Sequence, residues 1–229
     1  MTASRIRWVV IFLLYAVFHV WYGGNGSPLS ADEVEHYAAR ARELAGPEAE
    51  ERFRKVASSD DGKQFVMVNL NKYRERTRYR DGREVDQSPR EVERLYLADV
   101  LPKLLVRACH PVIVVDPILT IAGEGEFERT DWERIALARY RSRRDFLEIF
   151  LETQVGTEHK WAALERTHTM PTVPRLWGVG VRVVPFLLLL CVGLLLDRIF
   201  GAGRPNQAAT RTRAIVDGED PARPTPPLG

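Results

Sequence analysis

The sequence predicts an α+β domain with the ferredoxin-like order β-α-β-β-α-β, flanked by two transmembrane helices. Alternating apolar residues predict the strands, and capped amphipathic segments predict the helices between them. Uncharged apolar runs near both ends predict the membrane spans. The net charge is +2, from 33 basic and 31 acidic residues among 229. This balance does not indicate a nucleic-acid-binding protein.

The first apolar run, "WVVIFLLYAVFHVWY", follows Arg5 and Arg7, and no charge appears between Trp8 and Asp32. About 20 residues cross the hydrocarbon core of a bilayer, and residues 8–27 supply them. Trp21 and Tyr22 are typical of an interfacial belt. A cleavable signal peptide is the alternative, but no A-x-A site follows the run. We therefore predict an uncleaved anchor over residues 1–29.

The second run, "WGVGVRVVPFLLLLCVGLLLDRIF", predicts another span over residues 177–200, with Arg182 snorkelling at one end. The alternative is a buried helix of a soluble domain. The proline-rich tail, residues 201–229, predicts disorder. Flanking arginines favour cytoplasmic termini and an extracytoplasmic middle domain. These arginines are Arg5, Arg7, Arg198, Arg204, Arg211 and Arg213.

Two short helices are predicted for residues 30–62. Ser30 and Glu33 form a capping box, and Gly46 with Pro47 ends the first helix. The second helix, "EAEERFRKVA", presents Phe53, and "SSDDG" follows as a turn. We interpret this pair as a stalk or as a lid on the next domain.

The central domain is predicted over residues 63–176, and its first strand is "FVMVNLNKY". The next helix begins after Ser88, and Pro102 predicts a kink in it. The runs "HPVIVV" and "RIALARY" predict two strands. A helix capped by Ser142 follows, and "THTMPTVP" predicts a short fourth strand.

Both predicted helices lie on one face of this antiparallel sheet, which leaves the other face open. We assign Phe65, Met67, Ala136, Ala138 and Tyr140 to the open face. These side chains are too apolar to remain in contact with water. The pattern therefore predicts a homodimer, a dimeric α/β-barrel in which two sheets enclose a shared interior.

Three stretches, "FVMVNLNKYRERTRY", "WERIALARYRSRRDFLEIF" and "HKWAALERTHTMPTVP", resemble the uncharacterised domain-of-unknown-function family 1330 of the dimeric α/β-barrel superfamily. The resemblance covers roughly residues 63–175. Superfamily relatives include cofactor-independent monooxygenases, muconolactone isomerases and haem proteins, so the resemblance implies a fold rather than a reaction. The family usually has a glycine before the second strand, where this chain has Ala108, Cys109 and His110. A left-handed turn at this position is therefore in question.

Two groups of polar residues suggest a ligand site. Asn69, Asn71 and Tyr73 follow apolar residues on one strand face, as at the mouth of a cleft. Arg139 and Tyr140 belong to the arginine-rich "RYRSRR" stretch, which suits a carboxylate or phosphate. The alternatives are backbone-satisfying asparagines and a salt-bridged edge, with Tyr140 as a packing residue. The ligand-binding candidates are Asn69, Asn71, Tyr73, Arg139 and Tyr140.

The basic run "KYRERTRYRDGRE" suits anionic lipid or an acidic ligand, or it is a solvated loop. Cys109 and Cys191 predict no disulfide, and the scattered histidines predict no metal and no cofactor. The predicted function is binding of a small apolar or aromatic acid in the shared interior. The alternatives are a cofactor-independent monooxygenase or isomerase, and a structural dimerisation domain. Expected partners are a second copy, the lipid bilayer and a small ligand, without nucleic acid.

Overall fold

The computed structural model describes residues 3–23, 26–119, 131–175 and 181–201. The chain divides into two compact units, residues 1–16 with 179–229, and residues 17–178. The tail predicted to be disordered, residues 202–229, lies outside the described residues, as do positions 177–180 of the predicted second span.

Within the described residues the chain forms seven helices and four strands. The helices are α1 Ala3–Gly23, α2 Ala31–Ala45, α3 Pro47–Ser58, α4 Pro89–Val106, α5 Arg143–Glu152, α6 Gln154–Ala163 and α7 Val183–Gly201. The strands are β1 Phe65–Tyr73, β2 His110–Val115, β3 Arg134–Tyr140 and β4 Leu164–Thr172.

The first unit joins residues 3–16 of α1 to α7. Both helices are long and apolar enough to cross a membrane. They run antiparallel, because Trp8 approaches Gly193 while Tyr15 lies 5.4 Å from Phe186 between ring centroids. A Cβ atom at Gly193 would lie 2.7 Å from Cη2 of Trp8, so this glycine permits the close approach.

A polar cluster closes one end of this helix pair. The Asp197 carboxylate accepts hydrogen bonds from Ser4 Oγ at 2.8 Å and from Trp8 Nε1 at 2.6 Å, and it forms an ion pair with Arg7. Polar groups in apolar surroundings stabilise a helix pair when they satisfy one another. The pairing therefore rests on both shape and charge.

The second unit contains an antiparallel sheet with the strand order β2-β3-β1-β4. The strands and helices follow the predicted β-α-β-β-α-β order, with α6 as an additional helix before β4. α4 continues through Pro102 without interruption. β4 begins directly after α6, three residues before the predicted segment "THTMPTVP", and it ends at Thr172.

The two faces of the sheet are the reverse of the sequence assignment. Phe65 stacks on Tyr140, with ring centroids 5.3 Å apart, and both rings pack against Phe146 of α5. These residues therefore lie on the helix-covered face, and the prediction that they form the open face is wrong. The opposite face contains Val68, paired with Leu137 in β3. Strand alternation separates two faces but does not show which one the helices cover.

The helices α2 and α3 form a hairpin that packs on α5. Val34, Tyr37, Ala57 and Leu147 form a buried cluster, and Phe53 packs against it. The Ser30 side chain accepts a hydrogen bond from the Glu33 amide at 3.3 Å, as the predicted capping box requires. The hairpin thus lies on the outer surface of the α5 layer.

Ala108 occupies the turn before β2 with a φ of 55°, and it is the one non-glycine residue with positive φ among those described. The turn is therefore left-handed although alanine rather than glycine occupies this position. An alanine in this conformation costs about 1–2 kcal/mol because its Cβ approaches the following carbonyl oxygen.

Candidate functional site

The five predicted ligand residues do not form one site. Asn69, Asn71 and Tyr140 point to the helix-covered face, as does Tyr73, whose hydroxyl group reaches α4. Arg139 is paired with Val66 and therefore lies on the opposite face. Asn69 and Arg139 therefore do not border one cavity, because the sheet separates their side chains.

Arg139 holds the end of α1 against the sheet. Its guanidinium group donates to the Tyr22 carbonyl oxygen at 2.8 Å, to the Ala108 carbonyl oxygen at 2.5 Å and to Gln64 Oε1 at 2.8 Å. The group also lies 3.8 Å from the centroid of the Tyr22 ring. Only 1% of Arg139 is exposed. A cation at the C-terminus of a helix complements its dipole, so Arg139 has a structural role.

The neighbouring arginines are also used within the domain. Arg141 donates to the Trp21 carbonyl oxygen at 3.2 Å and forms an ion pair with Asp145 at 2.6 Å. Arg143 and Arg144 form ion pairs with Asp61, at 2.6 Å, and with Glu33. The arginine junction, Arg139, Arg141, Arg143 and Arg144, therefore joins α1, α2, the 58–62 turn and α5. Its geometry favours the structural interpretation over an anion site.

Asn71 and Tyr73 belong to a buried polar cluster around Glu93 of α4. The Glu93 carboxylate, 5% exposed, accepts hydrogen bonds from Tyr73 Oη, from Asn71 Nδ2 at 3.3 Å and from Arg134 Nη1 at 2.8 Å. Asn71 Oδ1 accepts a further hydrogen bond from Thr167 Oγ1 at 2.8 Å. Burial, followed by the Glu93 hydrogen bond, raises the pKa of Tyr73. These polar atoms bind one another across β1, β3, β4 and α4.

Asn69 and Tyr140 also have partners in the fold. Asn69 Oδ1 accepts from Thr169 Oγ1 at 3.2 Å, and Asn69 Nδ2 donates to the Ala136 carbonyl oxygen at 3.5 Å. Tyr140 packs between Phe65 and Phe146, and burial raises the pKa of its hydroxyl group. The contacts of both residues match the packing and backbone-satisfying alternatives.

The opposite end of the sheet carries a different set of side chains. The loop between β1 and α4, residues 74–88, contains the basic run of the sequence. Hydrogen bonds of 3.0 Å from the Arg74 and Arg78 amides to the carbonyl oxygens of Ala163 and Ala162 fix the loop against α6. Arg83 forms ion pairs with Asp81 at 2.7 Å and with Glu158 at 2.8 Å. This end combines a fixed backbone with exposed cations.

A cleft of about 700 Å³ lies between the α2–α3 hairpin, α5, α6 and this loop. We call it the Trp161 cleft. Its residues are Leu44, Ala45, Ala49, Arg52, Phe53, Tyr79, Arg80, Asp81, Phe150, Thr157, Glu158 and Trp161. Trp161 is 42% exposed. The volume lies within the range of small-molecule sites.

A second and more polar groove, of about 1020 Å³, adjoins the cleft and shares Tyr79, Arg80 and Trp161 with it. Arg74, Arg76 and Arg78 line this groove, and Glu75, Glu84 and Asp86 line it as well. In all, five arginines and four carboxylates line the groove, so its charges nearly cancel and it has little preference for an anion. The basic run in the sequence indicated this region, but it did not indicate the aromatic cleft beside it.

Comparisons with known proteins inform the fold rather than the site. No family model matches this sequence, so membership of family 1330 stays a prediction. No curated protein matches it either. The chain is similar to the crystal structure of the methylated RPA0582 protein, with 25% identity and a TM-score of 0.50, over 56% of this chain and 93% of that chain.

A second solved structure is that of the RPA0582 protein of unknown function from Rhodopseudomonas palustris, a structural genomics target. It is 22% identical, with a TM-score of 0.49, over 56% of this chain and 94% of that chain. The first similarity supports the α+β fold of the central domain. Neither neighbour assigns an activity or a ligand.

Proposed function

We propose that this protein is a membrane-tethered α+β module that binds a small apolar or aromatic acid and pairs with a second copy. The proposal combines two apolar helices that suit a bilayer with a domain that carries a ligand-sized cleft. The main observation in favour of this proposal is the contrast between the two ends of the sheet. One end is connected to both apolar helices, and the other end carries the cleft.

The tether is supported by how α1 meets the domain. The last turn of α1 is fixed by Arg139 and Arg141, and Tyr22 Oη is 2.8 Å from His110 Nε2. Cleavage after this helix would leave the buried Arg139 without its Tyr22 partner. We therefore favour a retained anchor over a signal peptide.

Both connections leave the same end of the sheet. α1 contacts His110 and Arg139, and the end of β4 pairs Thr172 with Val66, which lies opposite Arg139. The 74–88 loop follows the other end of β1, about 25–30 Å away at the usual rise of a strand. This distance exceeds the Debye length of about 8 Å at physiological salt. Charges on the 74–88 loop are therefore screened from charges at the Arg139 end of the sheet.

The flanking arginines support cytoplasmic termini and an extracytoplasmic domain. The test is labelling of Arg76→Cys with a membrane-impermeant maleimide in intact cells, in a chain carrying Cys191→Ser. Cys109 provides little background, because it is buried and burial raises the pKa of its thiol to about 11. We expect labelling without permeabilisation and retention of an N-terminal tag. Labelling that requires permeabilisation contradicts the orientation, and loss of the tag contradicts the retained anchor.

Ligand binding is tested by thermal shift of the full chain in detergent against a panel of aromatic and aliphatic carboxylates, each with its neutral amide. Binding to the folded state raises the melting temperature by mass action. We expect stabilisation by aromatic carboxylates and weaker stabilisation by their amides. A panel without any stabilising acid contradicts the proposed binding function.

Pairing of two copies is supported by the open face of the sheet. Ile113 and Val115 lie on the same face as Leu137 and Ile135 and are 47% and 42% exposed. A contiguous apolar patch on an exposed sheet face typically marks an interface with another protein chain. We expect a dimer by light scattering in detergent, converted to a monomer by Ile113→Lys together with Val115→Lys. A monomeric wild-type chain at high concentration contradicts the pairing.

A further inference from the structure

We infer that the Trp161 cleft is the acid-binding site, in which Trp161 contacts an aromatic ring and Arg80 pairs with the carboxylate. This inference rests on the proposed function, because it names the site and the ligand chemistry of the binding module. It places the site outside the sheet, under the α2–α3 hairpin, rather than in an interior shared by two copies.

The walls of the cleft are apolar and aromatic. Phe53 of the hairpin packs on Phe150 of α5, with ring centroids 4.2 Å apart, and Trp161 of α6 also lines the cleft. Leu44 and Trp161 remain 37% and 42% exposed. Large apolar side chains that stay exposed within a concave surface are typical of a ligand site. An aromatic ring suits this lining better than a polar group does.

The charges in the cleft favour an anion. The two carboxylates that line it, Asp81 and Glu158, are both paired with Arg83. Arg52 forms an ion pair with Glu48 at 3.2 Å. Arg80 has no hydrogen-bond, ion-pair or ring partner among the residues that the structure describes. A guanidinium group binds a carboxylate through two parallel hydrogen bonds.

The wall of the cleft is fixed by contacts of Tyr79, one of its lining residues. Tyr79 Oη lies 2.7 Å from His159 Nδ1, and the Arg83 guanidinium group lies 3.6 Å from the centroid of the Tyr79 ring. These contacts fix the residue before Arg80 against α6. Preorganisation lowers the conformational cost of binding. The volume of about 700 Å³ accommodates an acid with one or two rings.

The test is titration of the full chain in detergent with 2-naphthoate, with 2-naphthamide as the neutral probe. Arg80→Gln removes the cation, and Ala45→Phe fills the cleft from an exposed position at the end of α2. Arg76→Gln is the matched control, because Arg76 lies on the same loop and lines only the neighbouring groove. We expect each cleft variant to weaken 2-naphthoate binding about tenfold or more, as loss of a charge-assisted bond or of space predicts.

The outcomes separate this inference from the proposed function. Weaker binding in Arg80→Gln and Ala45→Phe, with wild-type binding in Arg76→Gln, supports the Trp161 cleft. Wild-type binding in both cleft variants overturns this site and leaves the binding function intact. Absence of binding by any aromatic acid in the wild-type chain overturns the inference together with the binding function.

Discussion

The two ends of the sheet contain the same residue type in opposite situations. At the α1 end, where Arg139 contacts the last turn of α1, the arginine junction is paired with carbonyl oxygens and carboxylates of α1, α2, the 58–62 turn and α5. At the loop end, Arg76, Arg78 and Arg80 are exposed and have no ion-pair partner among the described residues. Arginine content therefore does not identify a site. The difference lies in whether the fold already supplies the partner.

The largest expected effect is at Arg139. Arg139→Gln removes a buried cation that donates to three acceptors and leaves carbonyl oxygens of α1 and the Ala108 turn without a donor. We expect a loss of about 3 kcal/mol or more, a decrease in melting temperature of roughly 6–12 °C for a domain of this size. Scanning fluorimetry of the full chain in detergent measures it.

The control for Arg139 is the exposed Arg76. Surface substitutions away from buried networks usually change stability by less than about 0.5 kcal/mol, so Arg76→Gln leaves the melting temperature almost unchanged. Equal decreases in the two variants contradict the contrast between the two ends.

The next effect concerns two glycines that share a left-handed backbone but differ in their surroundings. Gly62, with φ of +70°, packs so closely on Gly26 that an added Cβ would overlap its carbonyl oxygen. Gly82, with φ of +79°, has no atom within 4 Å of such a Cβ. We expect Gly82→Ala to cost about 1 kcal/mol from backbone strain. Gly62→Ala costs at least about 2 kcal/mol, because overpacking adds to this strain.

Both variants are compared by thermal melting of the full chain. The α1 end is predicted to be the less tolerant of the two, because the 58–62 turn joins residues 26–29 to the arginine junction. An equal cost for the two alanine variants shows that the packing of Gly62 on Gly26 contributes little.

A smaller effect, with the opposite sign, is expected for Ala108→Gly. Glycine relieves the left-handed strain at φ of 55° but increases the entropy of the unfolded chain. We expect a net gain of about 0.5–1 kcal/mol in the free energy of unfolding. A destabilised glycine variant, measured under the same melting conditions, argues against strain at this turn.

The smallest effect is the pH dependence of the ion pair between Glu33 and Arg144. The Arg144 hydrogen bond, with the Ser30 amide, lowers the pKa of Glu33 from 4.5 to about 2. A lowered pKa stabilises the folded state at pH values above the unfolded pKa, and this contribution is lost as the pH falls from 4.5 to about 2. Because Glu33 is only partly buried, the contribution is small.

The corresponding measurement compares the melting temperature of the wild type and Glu33→Gln from pH 7 to pH 2. We expect the wild type to be more stable at pH 7 and the difference to disappear at the acidic limit. A difference that is constant across this pH range contradicts a contribution from the carboxylate charge.

Local patterns predicted much of the fold. The capping box at Ser30, the cap at Ser142 and the strand periods reflect interactions over a few residues, so the sequence reveals them. The covered face of the sheet was not predictable in this way, because alternation is symmetric between faces. The pairing of Arg144 with Glu33 joins residues 111 apart in the chain and depends on tertiary packing.

The candidate site was less predictable than the fold. Asn69, Asn71, Tyr73 and Arg139 looked like ligand residues because they are polar and follow apolar residues on their strands. The structure shows partners for each of them within the domain. The Trp161 cleft arises where a separate hairpin meets α6 and the loop, and no local pattern records that meeting.

Hydrogen–deuterium exchange of the full chain in lipid nanodiscs, with and without 2-naphthoate, tests the difference between the two ends most directly. We predict ligand-dependent protection in residues 44–53, 78–83 and 157–161, with unchanged exchange in residues 64–70 and 134–140. Protection confined to residues 64–70 and 134–140 would contradict a site at the loop end. That result would instead indicate binding in an interior shared by the sheets of two copies.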